Sequence, residues 1–584
     1  MKRILLIIVC IWSGLGLMAE PFYVRINGTR DVAAANTGVQ DFQGRTQYAA
    51  MNVSITAGDK ITCYDAGSGA AWNIAKLDSY GAYTNFAVGS DALKCNATGV
   101  YNVYIKMKMN DDIWYIEASN GSTPEPVVPQ DYDVAVPEQS EDILLQAFYW
   151  DSNYDKGYGD TRWTTLTGQA EEISKYFTLV WLPPSSEPNN GGLGYIARCY
   201  SNQNSSMGNS TELASLLNTF HNKGLRVLAD VVINHCGNAS SWCDFRDVDF
   251  GSYGHFYPQS TWITSNDEAQ GKCTLGANAD DGQHEANYGA ARDWDHKNTE
   301  VQNMCKAYTK WLKNTIHYDG FRYDYCGGFH VSHINDYNSA SKPYFSVMEY
   351  WIGDASELKT RIDQAGKNTL TFDFALKYNA LRDGIFKKSY TKCLKGGLRG
   401  KGYSKYAVTF IDNHDTFARS ESEDVANKKD GSSIDDKSLM MRCNAYILSM
   451  PGVPCVFWPH WVKYKAELKK MIDARRAAGI HSESTVEETA SSGWYRATIH
   501  GTKGNIKLML GTAAEDEQPA GYTLVLKGSD YAMYYNEVPE GIEQTDEPAP
   551  VLDLTQPMYN VMGQRVNAGH SGVVIQNGHK FIIR

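Results

Sequence analysis

The chain has 584 residues, 42% hydrophobic and 21% charged, which excludes a disordered polymer and allows about four domains at ~150 residues each. Its net charge is −12, and two units more negative without Lys2 and Arg3 of the leader. An acidic chain of this kind excludes a nucleic-acid reader built on Lys and Arg, and it fits a neutral ligand.

Met1-Lys2-Arg3 is a basic start, Ile4 to Trp12 is apolar, and small residues lead to a cleavage position after Ala19. Residues 1–19 are therefore predicted to be a secretory signal. The apolar run is short and interrupted, and no later segment reaches 18 apolar residues, so no transmembrane span is predicted. Cleavage leaves 11 of the 12 cysteines, an odd number. Export permits disulfides, and Cys236 and Cys243 are candidates to pair.

Residues 20–119 alternate apolar and polar side chains in "FYVRING", "AMNVSITAG", "KITCYDAG" and "GVYNVYIKMK", with Gly and Asn turns between. This predicts a small β-sandwich. Residues 120–139 hold four prolines and read as a semi-extended linker.

From 140 to 477 short apolar strands alternate with helical stretches. The predicted strands are 143–150, 179–183, 225–234, 320–325, 344–351, 370–374, 406–412 and 453–458. "STELASLLNTFHNKG" and "VQNMCKAYTKWLKNT" are among the helices between them. Eight strands with intervening helices predict an α/β fold, the parallel (β/α)8 TIM barrel. The polar, Gly-rich run 234–298 is too long for a plain connection and reads as an inserted domain. Antiparallel strands return over 478–537, an acidic linker covers 538–550, and 551–584 forms a strand-rich tail.

Within "YDGFRYDYCGGF" Arg322 and Asp324 share one face of a strand that belongs in the core. Arg322 is expected to offset the burial of Asp324 and hold its pKa down. Other strands end alike: Asp230, Asn234 and His235 follow the third, Glu349 the fifth, and Asp412, His414 and Asp415 the seventh. In a parallel barrel these C-terminal ends form one rim. A rim of carboxylates and imidazoles suits glycoside hydrolysis, where an uncharged sugar leaves the enzyme to supply every charge.

"DVVINH", "GFRYDYCGG", "EYW" and "FIDNHD" resemble, in order and spacing, the motifs of glycoside hydrolase family 13, the α-amylase family. The wider text, from about Ile143 to Glu537, is closest in look to plant-type α-amylases. The resemblance implies a barrel with an inserted domain B and a C-terminal antiparallel β domain, acting on starch or related α-glucan with retention. It implies Asp324 as nucleophile, Glu349 as general acid and base, and Asp415 as transition-state stabiliser. Arg322 would orient Asp324, His235 and His414 would hydrogen-bond the sugar, and Tyr195 would stack on it. Glu349 must rest protonated, its pKa raised by burial near Asp324 and Asp415. The family's calcium would be held by Asn234, Asp293, the Gly328 carbonyl, Ala286 and a further carboxylate. For that last position the chain offers Asp281, with Asp280 and Gln283 beside it. Many relatives carry a Lys where this chain has Gly327, which leaves the cleavage pattern open. "FWPHW" after the eighth strand also departs from the plant-type version.

The first domain offers Trp72, Tyr80, Tyr83 and Trp114 as a stacking platform, and attachment of a weak glucan binder raises effective concentration at an insoluble substrate. The tail resembles C-terminal sorting segments of Bacteroidetes secreted proteins. It implies a secreted, cell-surface or periplasmic protein of a Gram-negative bacterium, with outer-surface attachment through the tail; a monomer is expected. An endo-acting α-amylase is the first reading. Beside it stand a maltogenic amylase or glucanotransferase of the same family and a catalytically silent starch-binding surface protein.

Overall fold

The computed structural model describes residues 22–40, 45–65, 70–72, 76–81, 85–90, 92–107, 113–119, 129–154, 157–189, 192–279, 281–282, 288–417, 434–537, 556–560, 564–567, 572–576 and 579–583. The predicted signal, the first part of the 120–139 linker and the 538–550 linker lie outside these residues. The chain forms two compact units, Met1–Glu537 and Val538–Arg584.

Eight parallel strands close into a barrel: β1 (Leu144–Gln146), β2 (Leu179–Trp181), β3 (Arg226–Val231), β4 (Gly320–Tyr323), β5 (Phe345–Met348), β6 (Leu370–Phe372), β7 (Ala407–Phe410) and β8 (Val453–Phe457). Each lies inside one of the eight predicted segments, and β8 closes on β1 with Cys455 opposite Leu144. Apart from Arg226, every strand residue is buried, which is why these strands read as apolar runs rather than alternations. A Cβ on Gly320 would sit 2.3 Å from the Phe345 carbonyl oxygen, so β4 can begin only with glycine.

Helices α1 (Trp163–Ser174), α2 (Ser210–Asn222) and α3 (Thr299–Trp311) follow β1, β2 and the insertion. The Asn209 side chain caps α2, and the Glu212 carboxylate accepts from the Asn209 N–H. The same two side chains hold the N-terminal domain. Asn209 Nδ2 donates to Gln47 Oε1 at 2.8 Å, and Glu212 pairs with Lys106. That domain is all-β. Its strand Arg30–Gln40 pairs with Phe22–Ile26 through its first half and with Thr46–Ile55 through its second. Val24, Ile61, Cys63, Leu93, Val103 and Ile105 form its core. Among the suggested platform residues, Tyr83 lies outside the described residues, and Trp72, Tyr80 and Trp114 lie on strands.

Residues 129–139, expected to be semi-extended linker, are pinned to the barrel. Lys313 donates to the Pro129 carbonyl at 3.1 Å and pairs with Asp131 at 2.6 Å, while Ala135 is bonded to Asn368 and Ser346. The 234–298 insertion is irregular, as expected, but its disulfide joins Cys243 to Cys273. The expected Cys236–Cys243 pair does not form. Cys236 sits on a short strand beside Arg292–Asp293, and its thiol donates to the Ala197 carbonyl at 3.2 Å. The other described cysteines are buried thiols.

After β6 the chain winds as π-helical turns, Leu376–Phe386. They bring Lys377 against the segment that follows β7. There Lys377 Nζ lies 3.2 Å from Asp412, and His460 lies 3.3 Å from the same carboxylate. The lysine and histidine offset the burial of Asp412 and hold its pKa near 2, below the usual 3.8. The C-terminal β domain is a five-stranded antiparallel sheet over Thr485–Glu537, and strict in–out alternation along Trp494–His500 made it readable. The second unit carries a four-stranded sheet between Met558 and Ile583. No helix among the described residues is long and apolar enough to cross a membrane.

Two predictions follow from these contacts. Peptide mapping without reduction will recover a Cys243–Cys273 link and no Cys236–Cys243 link, and thiol reductant will lower the melting temperature, since a loop of this length is worth about 3–4 kcal/mol by chain entropy. Asp412→Asn will cost about 3–5 kcal/mol at neutral pH by stranding a buried lysine. A lowered folded pKa gives stability that is present above the unfolded 3.8 and lost as pH falls through about 2. The melting-temperature gap between variant and parent will therefore close across that window.

Candidate active site

The strand ends converge on Arg322, which is fully buried. In the β3–β4 register Asp230 stands beside Arg322, and Nη1 of the guanidinium reaches Asp230 at 2.7 Å and Asp324 at 2.6 Å. Nη2 lies 2.8 Å from Glu349. Backbone bonds extend the ladder beyond the strands: Asp324 N–H donates to Val231 and Glu349 N–H to Tyr323. Tyr325 then takes φ +49°, an uncommon conformation that turns the chain so that its own N–H donates to Glu349 Oε2 at 3.0 Å. The strand thus buries Arg322 to bind carboxylates at the ends of three strands.

Burial raises the Asp324 pKa, against the lowering by Arg322, so the expected depression does not occur. Glu349 is raised by burial and by Asp324, as expected. Asp230 is raised by burial to about 7. Asp415 is raised well above the usual range by burial and then Glu349, although its side chain keeps 28% exposure. Four carboxylates around one cation favour retention of protons among them.

His235 is buried and neutral, its pKa lowered by burial to about 4. One ring nitrogen contacts the Tyr195 carbonyl at 2.8 Å, the other the Asn234 amide at 3.2 Å, and Tyr288 of the insertion stacks on its face at 4.0 Å. Tyr195 donates to Asp230 at 2.8 Å and stacks on His414 with centroids 4.8 Å apart. The ring expected against a sugar thus has one face against the imidazole. His414 contacts Asp415 at 3.1 Å. The Asn413 side chain accepts from the N–H groups of Asp415 and Thr416 and fixes this turn. Asp230 also accepts from Trp181 at 3.0 Å. Tyr288 and Trp181 were not singled out from sequence, because neither lies in a polar strand-end motif.

The proposed metal ligands meet in part. Asn234 Nδ2 donates to Asp293 at 2.9 Å, and a Cβ on Gly328 would fall 2.3 Å from Asn234 Oδ1, so the backbone approaches the amide closely. Asp267, Glu268 and Asp293 place ligand oxygens within 4.8 Å of one another, a group that could hold a metal. The first two lie in a polar stretch with no motif to mark them. Asp281 accepts from the His330 N–H at 3.0 Å and pairs with His333 at 3.3 Å. Ala286, Gln283 and Asp280 lie outside the described residues.

With this geometry in hand, comparisons identify the family. Residues 174–351 match the model of the α-amylase catalytic domain. A probable α-amylase 2 of Arabidopsis thaliana is 30% identical over 421 residues, 68% of this chain and 94% of that protein. A glucan 1,4-α-maltotetraohydrolase of Stutzerimonas stutzeri is 26% identical over 63% of this chain and 68% of its own. The α-amylase of Geobacillus thermoleovorans, solved with acarbose, shares the fold at TM-score 0.50 and 17% identity, over 69% of this chain and all of that one. Barrel, strand-end carboxylates and these matches together place the chain in the α-amylase family of glycoside hydrolases.

Proposed function

We propose that this chain is an exported, endo-acting α-amylase that cleaves α-1,4-glucosidic bonds of starch or related glucans with retention. The observation that carries the reading is the single guanidinium of Arg322 in contact with Asp230, Asp324 and Glu349. One guanidinium can touch both Asp324 and Glu349 only if the two carboxyl groups are close, in keeping with the about 5–5.5 Å of retaining enzymes.

Asp324 attacks the anomeric carbon while Glu349 gives its proton to the departing glycosidic oxygen. The bond to that oxygen breaks, and a glycosyl ester forms on Asp324. Glu349, now a carboxylate, takes a proton from water, whose oxygen attacks the anomeric carbon; the bond from that carbon to the Asp324 oxygen breaks, releasing the sugar and restoring both groups. Glu349 Oε2 accepts from the Tyr325 N–H and lies 2.8 Å from the Arg322 cation, so its proton belongs on Oε1. Asp415, partly exposed, binds sugar hydroxyls and stabilises the oxocarbenium-like state. The leader and the tail support export, with surface attachment through the tail.

Calcium fits between insertion and barrel: Asn234 and Asp293 offer hard oxygens in contact, the Gly328 backbone approaches Asn234, and Asp267 and Glu268 adjoin Asp293. Bound there, the ion supplies rigidity and no chemistry.

Reducing-sugar release from soluble starch tests the reaction, and release of maltotetraose-size and longer products at early times tests endo action. Asp324→Asn is expected to lower kcat by roughly 10³-fold or more without loss of starch binding; a variant keeping a tenth of parental activity removes that role. Glu349→Gln will lose roughly 10²–10⁴-fold on starch and far less on an aryl maltoside, whose leaving group needs no proton. Glucosyl transfer to added maltose in place of hydrolysis would reassign the chain to the transferases of the family. A calcium chelator will lower the melting temperature and calcium will restore it, whereas an unchanged melt removes the metal.

A further inference from the structure

Beneath the sugar-facing residues lies Gln146, the last residue of β1, which no strand-end motif marks. It is fully buried, and its Nε2 lies 3.0 Å from Nδ1 of His414. The opposite ring nitrogen, Nε2, lies 3.1 Å from the Asp415 carboxylate. Phe148, Trp150, Trp181 and Tyr195 surround the imidazole, with centroids 5.1, 5.5, 5.6 and 4.8 Å away. The titratable groups facing it are the Asp415 carboxylate and the Tyr195 phenol, whose hydroxyl is tied to Asp230.

Of the two neutral tautomers, one makes both contacts favourable. With the proton on Nε2, the ring donates to Asp415 and accepts from the Gln146 amide at Nδ1. With Asp415 ionised, the state in which it stabilises a cationic sugar, the other tautomer turns a lone pair toward a carboxylate at 3.1 Å. Rotating the amide to suit it would leave both buried Nε2 hydrogens without the imidazole, where the present orientation commits one of them to His414 and leaves Oε1 unpartnered. We propose that Gln146 is a positioning residue: it fixes the His414 proton on Nε2, so that the imidazole orients Asp415 for the sugar. This rests on the reading of Asp415 as a substrate-binding carboxylate, and it adds a residue to that machinery that touches no substrate.

The test uses the full chain, the variants Gln146→Met and Gln146→Glu, and ¹⁵N-histidine labelling, with His414 assigned by its absence in His414→Asn. In the parent, His414 Nδ1 should resonate as an unprotonated nitrogen and Nε2 as a protonated one. In Gln146→Glu the carboxylate should draw a proton onto Nδ1. On soluble starch Gln146→Met should lower kcat roughly 10-fold while KM stays within about twofold, as expected for a reacting group held slightly out of place. Its melting temperature should stay close to the parent's. A protonated Nδ1 in the parent overturns the proposal, and so does a Gln146→Met enzyme with parental kcat. A kcat loss matched by a collapsed melt and an unchanged tautomer also overturns it. The spectrum reads the tautomer whether or not the chain hydrolyses starch, so failure of the functional reading is recognised separately.

Discussion

The guanidinium of Arg322 stands at the centre of the barrel rim, and three carboxylates close on it at 2.6–2.8 Å. At an effective dielectric constant of about 20, each such pair gains roughly 6 kcal/mol of gross Coulomb energy, against several kcal/mol to desolvate each ion. Burial raises the pKa of all three carboxylates against the pull of the arginine, which favours an acid beside a carboxylate as glycoside cleavage requires. The barrel exists, in physical terms, to hold strand ends close enough for this sharing.

Around that centre a second layer removes freedom. Asp230 is locked by Trp181 and Tyr195, the Asp415 turn by Asn413, and the segment after β7 by Lys377 and His460. The insertion adds Tyr288 over His235, while its own disulfide ties Cys243, next to Trp242, to Cys273, next to Lys272, and the Trp242 ring packs against Lys272 and Arg292. Arg292 in turn pairs with Asp267 of the acidic group beside Asp293. Charges fixed in this way need no reorganisation when a sugar becomes cationic. The N-terminal domain joins the same body, since its Gln47 and Lys106 bond the residues that cap α2.

The legible parts share one cause. Buried parallel strands read as apolar runs, and polar residues directly after such runs fall on one rim, so Asp324, Glu349, Asp415, His235 and His414 could be placed together. The illegible parts share another. Cys273 and Asp267 lie in an irregular stretch with no period to follow. Residues 129–139 look like linker, and only their partners Lys313 and Asn368 show otherwise. At Asp324 burial outweighs the Arg322 guanidinium, and the depth of burial is not written in the local pattern that pairs the two residues, so the expected lowering is a raising.

The sequence by itself determined the eight strands, their helices and the residues at their ends, because burial and strand period are local properties written every few residues. Only the tertiary structure decided which carboxylates share the arginine, which cysteine meets Cys243 and which amide holds His414. These depend on barrel register, such as Asp230 beside Arg322, and register is a relation between segments 92 residues apart that neither segment contains alone.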